Sequence, residues 1–391
     1  MPETAHKKPL RVLHIGKYFP PHAGGMETYL QDLMVVQHRQ GQQVTALVHA
    51  SGATAFDRDQ QVDALDGTSF KVQLAARWFN LGFVPVSPFF WLSALKLIRQ
   101  FKPDIIHIHH PNLSAAWLLL LPLARKVPWV AHWHSDILTP SSSRFVRFCY
   151  AFYRPFEERL LNRAAIIFAT SSSYVEGSEA LTKHLSKVKV LPLGLDTLRL
   201  PDPYQVQPMD RPKGAPLVLF LGRLAGYKGL PTLLNAIARL PDVHCWLVGD
   251  GSERRNLEDT VTRLKIQDRV RFVGAVNEEQ KWRYLKTADV VVLPSTDKNE
   301  AFGMVILEAG HLDKSMVVTD IEGSGTAWVA GQFGATVVAA RDLGALTAGI
   351  HQVLSMPPRD SKSIQSADTG PFNLPSQCTK MLNHYRSVDS C

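Results

Sequence analysis

The chain has 391 residues, of which 45% are hydrophobic and 20% charged. This composition excludes a disordered or fibrous protein and predicts a globular one of two or three domains. The four cysteines have neither paired nor metal-type spacing, so we expect free thiols in a reducing compartment.

The ends and the apolar segments of the chain predict neither a leader nor a membrane span. The N-terminus is short and polar and does not resemble a signal peptide. The most apolar stretch, 79–97, is interrupted by Pro85 and Pro88, and the run 115–124 is too short to cross a bilayer.

The net charge of +8 lies entirely in the first half of the chain. Residues 1–200 contain 22 Lys and Arg against 14 Asp and Glu, whereas residues 201–391 contain 21 of each. This asymmetry indicates a surface that meets an anionic partner, or else one that only aids solubility. No nucleic-acid-binding module accompanies it, so we expect a membrane surface and no nucleic acid.

Short β-branched runs alternate with helical patterns in the first half of the chain. The predicted strands are 10–15, 43–49, 104–109, 129–134, 165–170 and 187–192, and a predicted helix over 26–39 follows the first of them. Strands that alternate with helices are typical of a parallel sheet covered on both faces.

The same pattern restarts in the second half. The predicted strands are 217–221, 244–248, 270–273, 290–293 and 316–319, with helices over 230–240 and 252–265. Six prolines between 192 and 216 indicate an extended linker. We therefore expect an N-terminal domain (1–195), a linker (196–216), a C-terminal domain (217–370) and a helix (371–391) that can pack back toward the first domain.

Two glycine-containing loops follow predicted strands and suit anion binding. Gly24 and Gly25 precede a predicted helix, where backbone N–H groups and the helix dipole favour a negative charge. Arg223 and Lys228 lie five residues apart in a glycine-rich turn after the strand 217–221, where they form a plausible clamp for a diphosphate. The Gly-Lys-Ser/Thr of a Walker P-loop is missing.

A third segment carries two carboxylates, Glu300 and Glu308, separated by seven residues. With a helix that begins near Phe302, Glu300 lies at its opening and Glu308 about two turns further on. A buried carboxylate on an apolar helix face needs a polar partner, such as the diol of a ribose.

The motifs together resemble one known family. Gly-Gly-Met-Glu at 24–27, Gly-Arg-x4-Lys-Gly at 222–229, Val-Gly-Asp-Gly at 248–251 and Glu-x7-Glu at 300–308 occur in the order found in glycosyltransferase family 4. The resemblance covers nearly the whole chain. It implies the α/β GT-B fold, with two Rossmann-like doubly wound parallel-sheet domains facing a central cleft, and a retaining hexosyltransferase that needs neither a metal nor another cofactor.

The resemblance also implies roles for individual residues. It implies that His134, Arg223, Lys228 and Glu300 are the catalytic residues. Its donor-binding residues are Gly24, Gly25, Gly222, Arg223, Lys228, Phe302, Gly303, Met304 and Glu308. Gly25 and Met26 would contact the acceptor. In this assignment the two cations bind the diphosphate, Glu300 holds sugar hydroxyls and Glu308 binds the ribose.

Two segments bear on specificity and activity. The segment 320–329 resembles members that act in bacterial surface-polysaccharide assembly, so we expect mannose from GDP-mannose and a lipid-linked or oligosaccharide acceptor. The turn 309–316 is bulkier and more charged than the family pattern. Two alternatives therefore stay open: a nucleotide-sugar epimerase of similar fold, and a non-catalytic nucleotide-sugar-binding subunit.

Neither a group of clustered histidines nor an Asp-x-Asp triplet predicts a metal site. His107, His109, His110, His132 and His134 lie on or just past two predicted strands, with an alternation that sends some inward and some outward. Asp57 and Asp59 form an Asp-x-Asp in what reads as a polar loop.

One segment, 143–163, interleaves arginines with phenylalanines. Such spacing suits a helix lying on an anionic membrane, although aromatic residues at helical spacing also form cores. We expect Arg144, Arg147 and Arg154 to contact the membrane and the protein to be cytoplasmic, peripheral on the inner face of the membrane.

Overall fold

The computed structural model describes residues 8–22, 24–64, 66–81, 84–137, 144–357 and 370–389. Within them the chain forms two α/β units, each built around a largely parallel sheet. The predicted loop over 356–370 lies mostly outside the described residues.

The first unit contains ten strands. They are β1 (Arg11–Ile15), β2 (Gln43–His49), β3 (Arg58–Asp63), β4 (Ser69–Ala75), β5 (Phe79–Leu81), β6 (Val84–Val86), β7 (Ile105–His110), β8 (Trp129–Trp133), β9 (Ile166–Ala169) and β10 (Val188–Val190). Eight of them form one sheet in the order β10-β9-β8-β7-β1-β2-β4-β3, and β5 pairs with β6 in a separate hairpin.

The second unit contains six strands. They are β11 (Leu217–Leu221), β12 (His244–Val248), β13 (Val270–Gly274), β14 (Val290–Leu293), β15 (Ser315–Asp320) and β16 (Thr336–Ala339). Their order is β13-β12-β11-β14-β15-β16, and every pairing is parallel.

Twelve α-helices cover the sheets. They are α1 (Gly25–Arg39), α2 (Phe90–Phe101), α3 (Arg144–Arg163), α4 (Ser172–Gly177), α5 (Glu179–Thr182), α6 (Leu230–Ala238), α7 (Arg254–Leu264), α8 (Glu278–Thr287), α9 (Met304–His311), α10 (Thr326–Gln332), α11 (Leu343–Ser355) and α12 (Leu374–Asp389). Short 3-10 helices include Leu113–Leu120 and Gly226–Lys228.

Both sheets share the strand order of the doubly wound fold. In each, the chain starts at a central strand, moves outward in one direction and then returns to continue on the other side. The order reverses beside β1 and β11, and ligands of such sheets bind at that point, beyond the carboxyl ends of the strands. The predicted architecture is therefore confirmed.

Five strands were not predicted from the sequence: β3, β4, β5, β6 and β16. Residues 58–63, expected in a polar loop, form β3, which runs antiparallel to β4. Its polar sequence reflects an edge position exposed to solvent. The Asp57 side chain accepts hydrogen bonds from the backbone N–H of Ala76 (2.8 Å) and from the Gln73 amide (2.8 Å).

The C-terminal helix α12 packs on α1 of the first unit. The Gln40 side chain donates to the backbone carbonyl of Pro375 (3.0 Å), and Leu195 bridges to Asn373 just before the helix. Close by, Arg39 pairs with the buried Asp196 at 2.7 Å. The chain between the units is thus fixed to α1 and α12 on one side of the molecule.

Candidate active site

The junction of Gly24 and Gly25 brings the start of α1 against the second unit. A methyl group added at Gly25 would lie 3.6 Å from Cγ of Met304, and one at Gly24 would lie 3.5 Å from a guanidinium nitrogen of Arg223. Met26 follows in the first turn, half-buried. The absence of side chains at 24 and 25 leaves backbone amides accessible where the two units meet.

The helix α9 starts at the same place from the opposite side. Gly303 caps it with a φ of 79°, a left-handed conformation that favours glycine, and Met304 is its first residue. Phe302 is buried against the ring of Phe372, with ring centroids 5.8 Å apart. Because Met304 lies beside Gly25, the N-termini of α1 and α9 are neighbours, and the dipoles of both helices contribute positive potential there. The buried Glu27 carboxylate of the first turn of α1 lies against Gly24 at the same place.

Lys228 and Glu300 form a buried ion pair beneath this junction. The Lys228 ammonium contacts a Glu300 carboxylate oxygen that also accepts a hydrogen bond from the Ser295 hydroxyl at 3.0 Å. Burial works against the Lys228 charge, but the Glu300 carboxylate outweighs it and raises the pKa of Lys228. The lysine therefore stays charged at neutral pH, and Glu300 is positioned by two partners.

Close backbone approach holds the loop that carries Arg223. The Leu224 N–H donates to the Asp250 carbonyl (3.0 Å), and Gly222 N–H donates to Val248 (2.9 Å). A side chain at Gly249, whose φ is 127°, would overlap the Gly222 carbonyl oxygen. The Val-Gly-Asp-Gly motif thus serves to seat this loop on the end of β12.

Glu308 lies one turn into α9, not two, because the helix starts at Met304 rather than near Phe302. Its carboxylate pairs with the Lys281 ammonium at 2.6 Å, and Lys281 also contacts Glu278 at 2.7 Å. These carboxylates raise the pKa of Lys281 against the opposing effect of burial. Lys281, which lies on α8, was not predicted from the sequence as the partner of Glu308.

The unusual turn after Glu308 is anchored away from the carboxylate. The His311 ring bonds the Pro201 carbonyl at 2.9 Å, and the Lys314 ammonium donates to the carbonyls of Lys286 (2.6 Å) and Ala288 (2.9 Å). Burial lowers the pKa of Lys314 to about 8. The charged residues of this turn thus cap α8 and bind the linker.

His134 directly follows β8, at the carboxyl end of the first sheet. It is buried, and its Nε2 lies 3.0 Å from Nδ1 of His109. Its ring stacks on His132 with centroids 4.4 Å apart. Burial lowers the pKa of His134 to about 3, so the ring is neutral at physiological pH.

The histidines of β7 and β8 differ from the expectation that some would point outward. Their alternation is present, but all five are buried because helices cover both faces of the sheet. His110 stacks on Trp133 at 3.9 Å on the face opposite to the others. Two groups among the described residues bring ring nitrogens within 4.8 Å of one another, the spacing a metal would need: His14, His107, His109, and His109, His132, His134.

A second contact between the units was also missed. Lys298 follows β14 and donates to the buried Asp136 carboxylate (2.8 Å) and to the Gly177 carbonyl (2.7 Å) of the first unit. The Trp133 indole and the Ser178 hydroxyl bind the same carboxylate at 2.8 and 2.7 Å. Gly323 packs on the backbone of Gly177 nearby. These partners come from separate segments, and no local motif announces them.

The surface of the first unit is unusually apolar along α3. Phe145, Phe148, Phe152 and Phe156 are 42–66% exposed, so the core interpretation of these residues is wrong. The helix instead buries Tyr153, Glu157, Leu160 and Leu161. Arg144, Arg147 and Arg154 are on the exposed side, and Arg154 reaches Glu179 at 3.3 Å. Among the described residues, no helix has the length and apolar character needed to cross a bilayer.

Comparison with known proteins places this architecture. Residues 24–194 match the glycosyl transferase 4-like domain, and residues 205–369 match the glycosyl transferases group 1 family. The chain is 31% identical to the O-antigen chain mannosyltransferase C of Escherichia coli, over 82% of each protein. It is 27% identical to the phosphatidyl-myo-inositol mannosyltransferase of Mycolicibacterium smegmatis, over 76% of this chain and 73% of that protein.

A solved structure agrees with these matches. The sucrose-phosphate synthase of Thermosynechococcus elongatus superimposes with a TM-score of 0.73 at 20% identity, covering 97% of this chain and 99% of that one. At that identity the likeness concerns the fold. Together with the matches of both halves and the relative at 31% identity, it shows that the chain belongs to the family 4-like glycosyltransferases of the GT-B fold.

Proposed function

We propose that this glycosyltransferase moves a mannosyl residue from GDP-mannose to a lipid-linked or oligosaccharide acceptor, with retention of configuration and without a metal. One observation carries the proposal: Arg223 and the buried Lys228–Glu300 pair lie beside the neighbouring N-termini of α1 and α9. The cationic donors of Arg223 and Lys228, together with the free backbone N–H groups of two helix N-termini, suit the oxygens of a nucleoside diphosphate.

The chemistry follows from the charges. When the bond between the sugar C1 and the phosphate oxygen breaks, negative charge develops on the departing diphosphate. Arg223, Lys228 and the two helix N-termini would stabilise it without rearranging. The acceptor oxygen forms its bond to C1 on the same face, and its proton goes to the departing phosphate oxygen.

Two carboxylates would fix the rest of the donor. Glu300, held by Lys228 and Ser295, is placed to accept hydrogen bonds from sugar hydroxyls. Glu308, held by Lys281, would accept hydrogen bonds from the ribose. Both carboxylates lie beside a lysine, and a carboxylate accepts hydrogen bonds from hydroxyls more strongly than a neutral acceptor does.

The mannosyl donor is supported by the relatives. The curated relatives from Escherichia coli and Mycolicibacterium smegmatis both carry a mannosyltransferase name. A lipid-linked acceptor would be met at a membrane, and the basic first half of the chain has an exposed surface suited to one.

The proposed membrane surface extends beyond α3. The 3-10 helix Leu113–Leu120 contacts both α2 and α3, and exposed apolar side chains continue across these elements: Phe89, Leu92, Trp117, Leu120, Phe145, Phe148, Phe152 and Phe156. Aromatic residues mixed with arginines suit the interface of an anionic bilayer. We therefore propose a peripheral protein of the cytoplasmic membrane face.

The donor is tested first by thermal unfolding with GDP, UDP, ADP and their sugars. A nucleotide that binds only the folded protein at a hundredfold excess over its Kd stabilises it by about 2.7 kcal/mol. We expect a rise of several degrees with GDP species, lost in Glu308→Ala and kept in the control Glu258→Ala, which removes an exposed carboxylate on α7. No shift with any nucleotide would contradict the donor site.

Transfer is separated from the alternatives by product analysis. With GDP-mannose and a short-chain lipid-linked saccharide as substrates, we expect NMR to show an α-linked mannosyl product. The rate of transfer should be unchanged when a metal chelator is added. An epimerised nucleotide sugar formed without acceptor would instead identify an epimerase. Binding without either reaction, under conditions where vesicles and acceptor are both supplied, would identify a non-catalytic subunit.

Membrane contact is tested by sedimentation with vesicles containing phosphatidylglycerol. Replacing Arg144, Arg147 and Arg154 with glutamate should weaken binding by more than tenfold, since each basic residue near the surface contributes about 1 kcal/mol. The matched control replaces Arg255 and Arg263, exposed arginines of α7 in the other unit. Equal binding of both variants would overturn the proposal.

A further inference from the structure

A chain of hydrogen bonds runs through the interior of the first unit and ends at His134. It joins Gln37 on α1 to His14 on β1 (2.8 Å), His14 to His109 on β7 (3.0 Å), and His109 to His134 after β8 (3.0 Å). All three histidines and Gln37 are buried. This series of hydrogen bonds thus runs from α1, across the neighbouring strands β1 and β7, to the end of β8, where ligands of this fold bind.

The side-chain amide of Gln37 determines which atom donates in each hydrogen bond of this series. The Gln37 amide nitrogen lies 3.4 Å from the Tyr385 hydroxyl oxygen and 3.7 Å from the Met381 sulfur. A thioether sulfur can accept but not donate, so the NH2 group faces it and the amide oxygen faces His14. The Gln37 oxygen therefore accepts a hydrogen bond from Nε2–H of His14.

The protons of the remaining rings follow from that contact. A neutral imidazole has one N–H and one bare nitrogen. Nδ1 of His14 is bare and accepts from Nε2–H of His109, whose bare Nδ1 accepts from Nε2–H of His134. Burial lowers the pKa of His14 to about 4 and that of His109 well below its usual value, so the rings stay neutral.

We propose that Gln37, His14 and His109 act as a positioning relay that holds His134 in its Nε2–H tautomer. This leaves Nδ1 of His134 bare; it is a buried atom with no hydrogen-bond partner among the described residues, and a substrate hydroxyl that reaches it would donate to it. The tautomer of a histidine is set by the bond its other nitrogen makes. His134 would then accept from a neutral hydroxyl and would neither donate to the diphosphate nor act as a general acid. This role rests on the proposed function, whereas the tautomer itself does not.

The same histidines could instead bind a metal ion, but the contacts favour the relay. Both ring nitrogens of His14 and of His109 are engaged in short hydrogen bonds. A metal would have to displace at least one of these bonds at each ring. Elemental analysis of the purified protein decides this point, and a stoichiometric metal that is lost in His109→Leu would overturn the relay.

The direct test is NMR of the full chain labelled with ¹⁵N-histidine, which reports which nitrogen of each ring carries the proton. His134→Gln serves only to assign the signal. We expect His134, His109 and His14 all to be protonated on Nε2 and bare on Nδ1. A His134 ring protonated on Nδ1, or on both nitrogens at pH 7.5, would overturn the proposal regardless of any activity.

Three variants separate positioning from packing. His109→Asn keeps an oxygen near the place of Nδ1 and should keep the His134 tautomer, whereas His109→Leu should mix the tautomers and lower kcat/KM roughly tenfold, the equivalent of one hydrogen bond. Gln37→Met removes the acceptor at the other end of the series and should also mix the His134 tautomers.

The outcomes distinguish failure of the relay from failure of the proposed function. Unchanged His134 signals in both folded apolar variants, with melting curves as the check of folding, would overturn the relay. If the tautomers change as expected but no variant or wild-type protein transfers sugar, the relay stands and the proposed function fails.

Discussion

The two sheets of this protein have the same strand order but bury opposite kinds of polar group. The first sheet encloses neutral imidazoles on β1, β7 and β8, whereas the second surrounds its switch point with charged pairs, Lys228–Glu300 and Lys281–Glu308. The comparison teaches that one topology accommodates either solution. Each charged group has an oppositely charged partner, whereas neutral rings are buried even where, as in His132, neither ring nitrogen has a hydrogen-bond partner among the described residues.

Removing a charge from the second unit should have the largest effect. Lys228→Met leaves Glu300 as a buried, uncompensated carboxylate, which typically costs about 3–5 kcal/mol. It also removes a cation from the proposed diphosphate site, where such a loss costs about 10²–10³-fold in kcat. Steady-state kinetics and urea unfolding measure the two effects.

The double variant Lys228→Met/Glu300→Gln sharpens that result. Stability should largely return, because no unpaired charge remains, whereas activity should not. Recovery of both would show that the pair is structural and does not take part in transfer.

Acidification should act on the first unit. Six buried histidines on the strands of the first sheet, or directly after one, have lowered pKa values: His14, His49, His107, His109, His132 and His134. Below pH 6.5 these histidines are protonated in the unfolded chain but stay neutral in the folded protein. The free energy of unfolding therefore decreases as the pH falls, and at pH 5.5 each histidine has lowered it by about 1.4 kcal/mol.

Two groups of the first unit work in the opposite direction. Burial raises the pKa of Asp32 to about 7 and also raises the pKa of Glu27, so protonation of these carboxylates in the folded state stabilises the protein as pH falls. Two carboxylates against six histidines leave a net loss. Urea unfolding at pH 7.5 and 5.5, followed by tryptophan fluorescence, should show a lower midpoint at pH 5.5, and an unchanged midpoint would contradict the neutral cluster.

A smaller effect is expected at the loop that carries Arg223. Gly249→Ala combines a positive φ with overlap of the added methyl group and the Gly222 carbonyl, for an expected loss of about 2 kcal/mol. Gly331→Ala on α10 is the matched control, since its added methyl group would have no atom within 4 Å. Differential scanning calorimetry should therefore separate the two alanines, and equal midpoints would contradict the close backbone approach.

The smallest effect should come from the contact between the units. Lys298→Met removes the ion pair with Asp136 and the bond to Gly177, both of which hold the units together on that side. We expect KM for the donor to rise about threefold to tenfold. The loss of stability should be smaller than that of Lys228→Met, because the Trp133 indole and the Ser178 hydroxyl still donate to the buried Asp136 carboxylate. Small-angle scattering with and without donor checks whether the variant changes how closely the two units approach each other. An unchanged KM would show that the contact plays no part in donor binding.

The fold was largely predictable because the interior strands of a parallel sheet are continuous apolar runs, as in 217–221 and 290–293. Edge strands such as β3 were missed because their exposed sequence resembles a loop. The glycine and cation motifs were also readable, since each is local. Their assigned functional roles stay predictions.

The partners that position the site were not readable from sequence. Lys281 reaches Glu308 across 27 residues, and Lys298 reaches Asp136 across 162. Gln37 and His14 look like ordinary core residues until the strands bring His109 between His14 and His134. Such contacts are set by tertiary packing, which no local pattern encodes.

The position of α12 has a consequence for how the protein is made. The ribosome finishes the first unit long before it reaches Tyr385, whose hydroxyl lies 2.5 Å from Nδ1 of His107. Until that last helix emerges, the α1 surface and the histidines behind it lack part of their cover. The nascent first unit should therefore expose part of α1 while the second unit is being translated, and reach its protease-resistant state only once α12 has packed on α1.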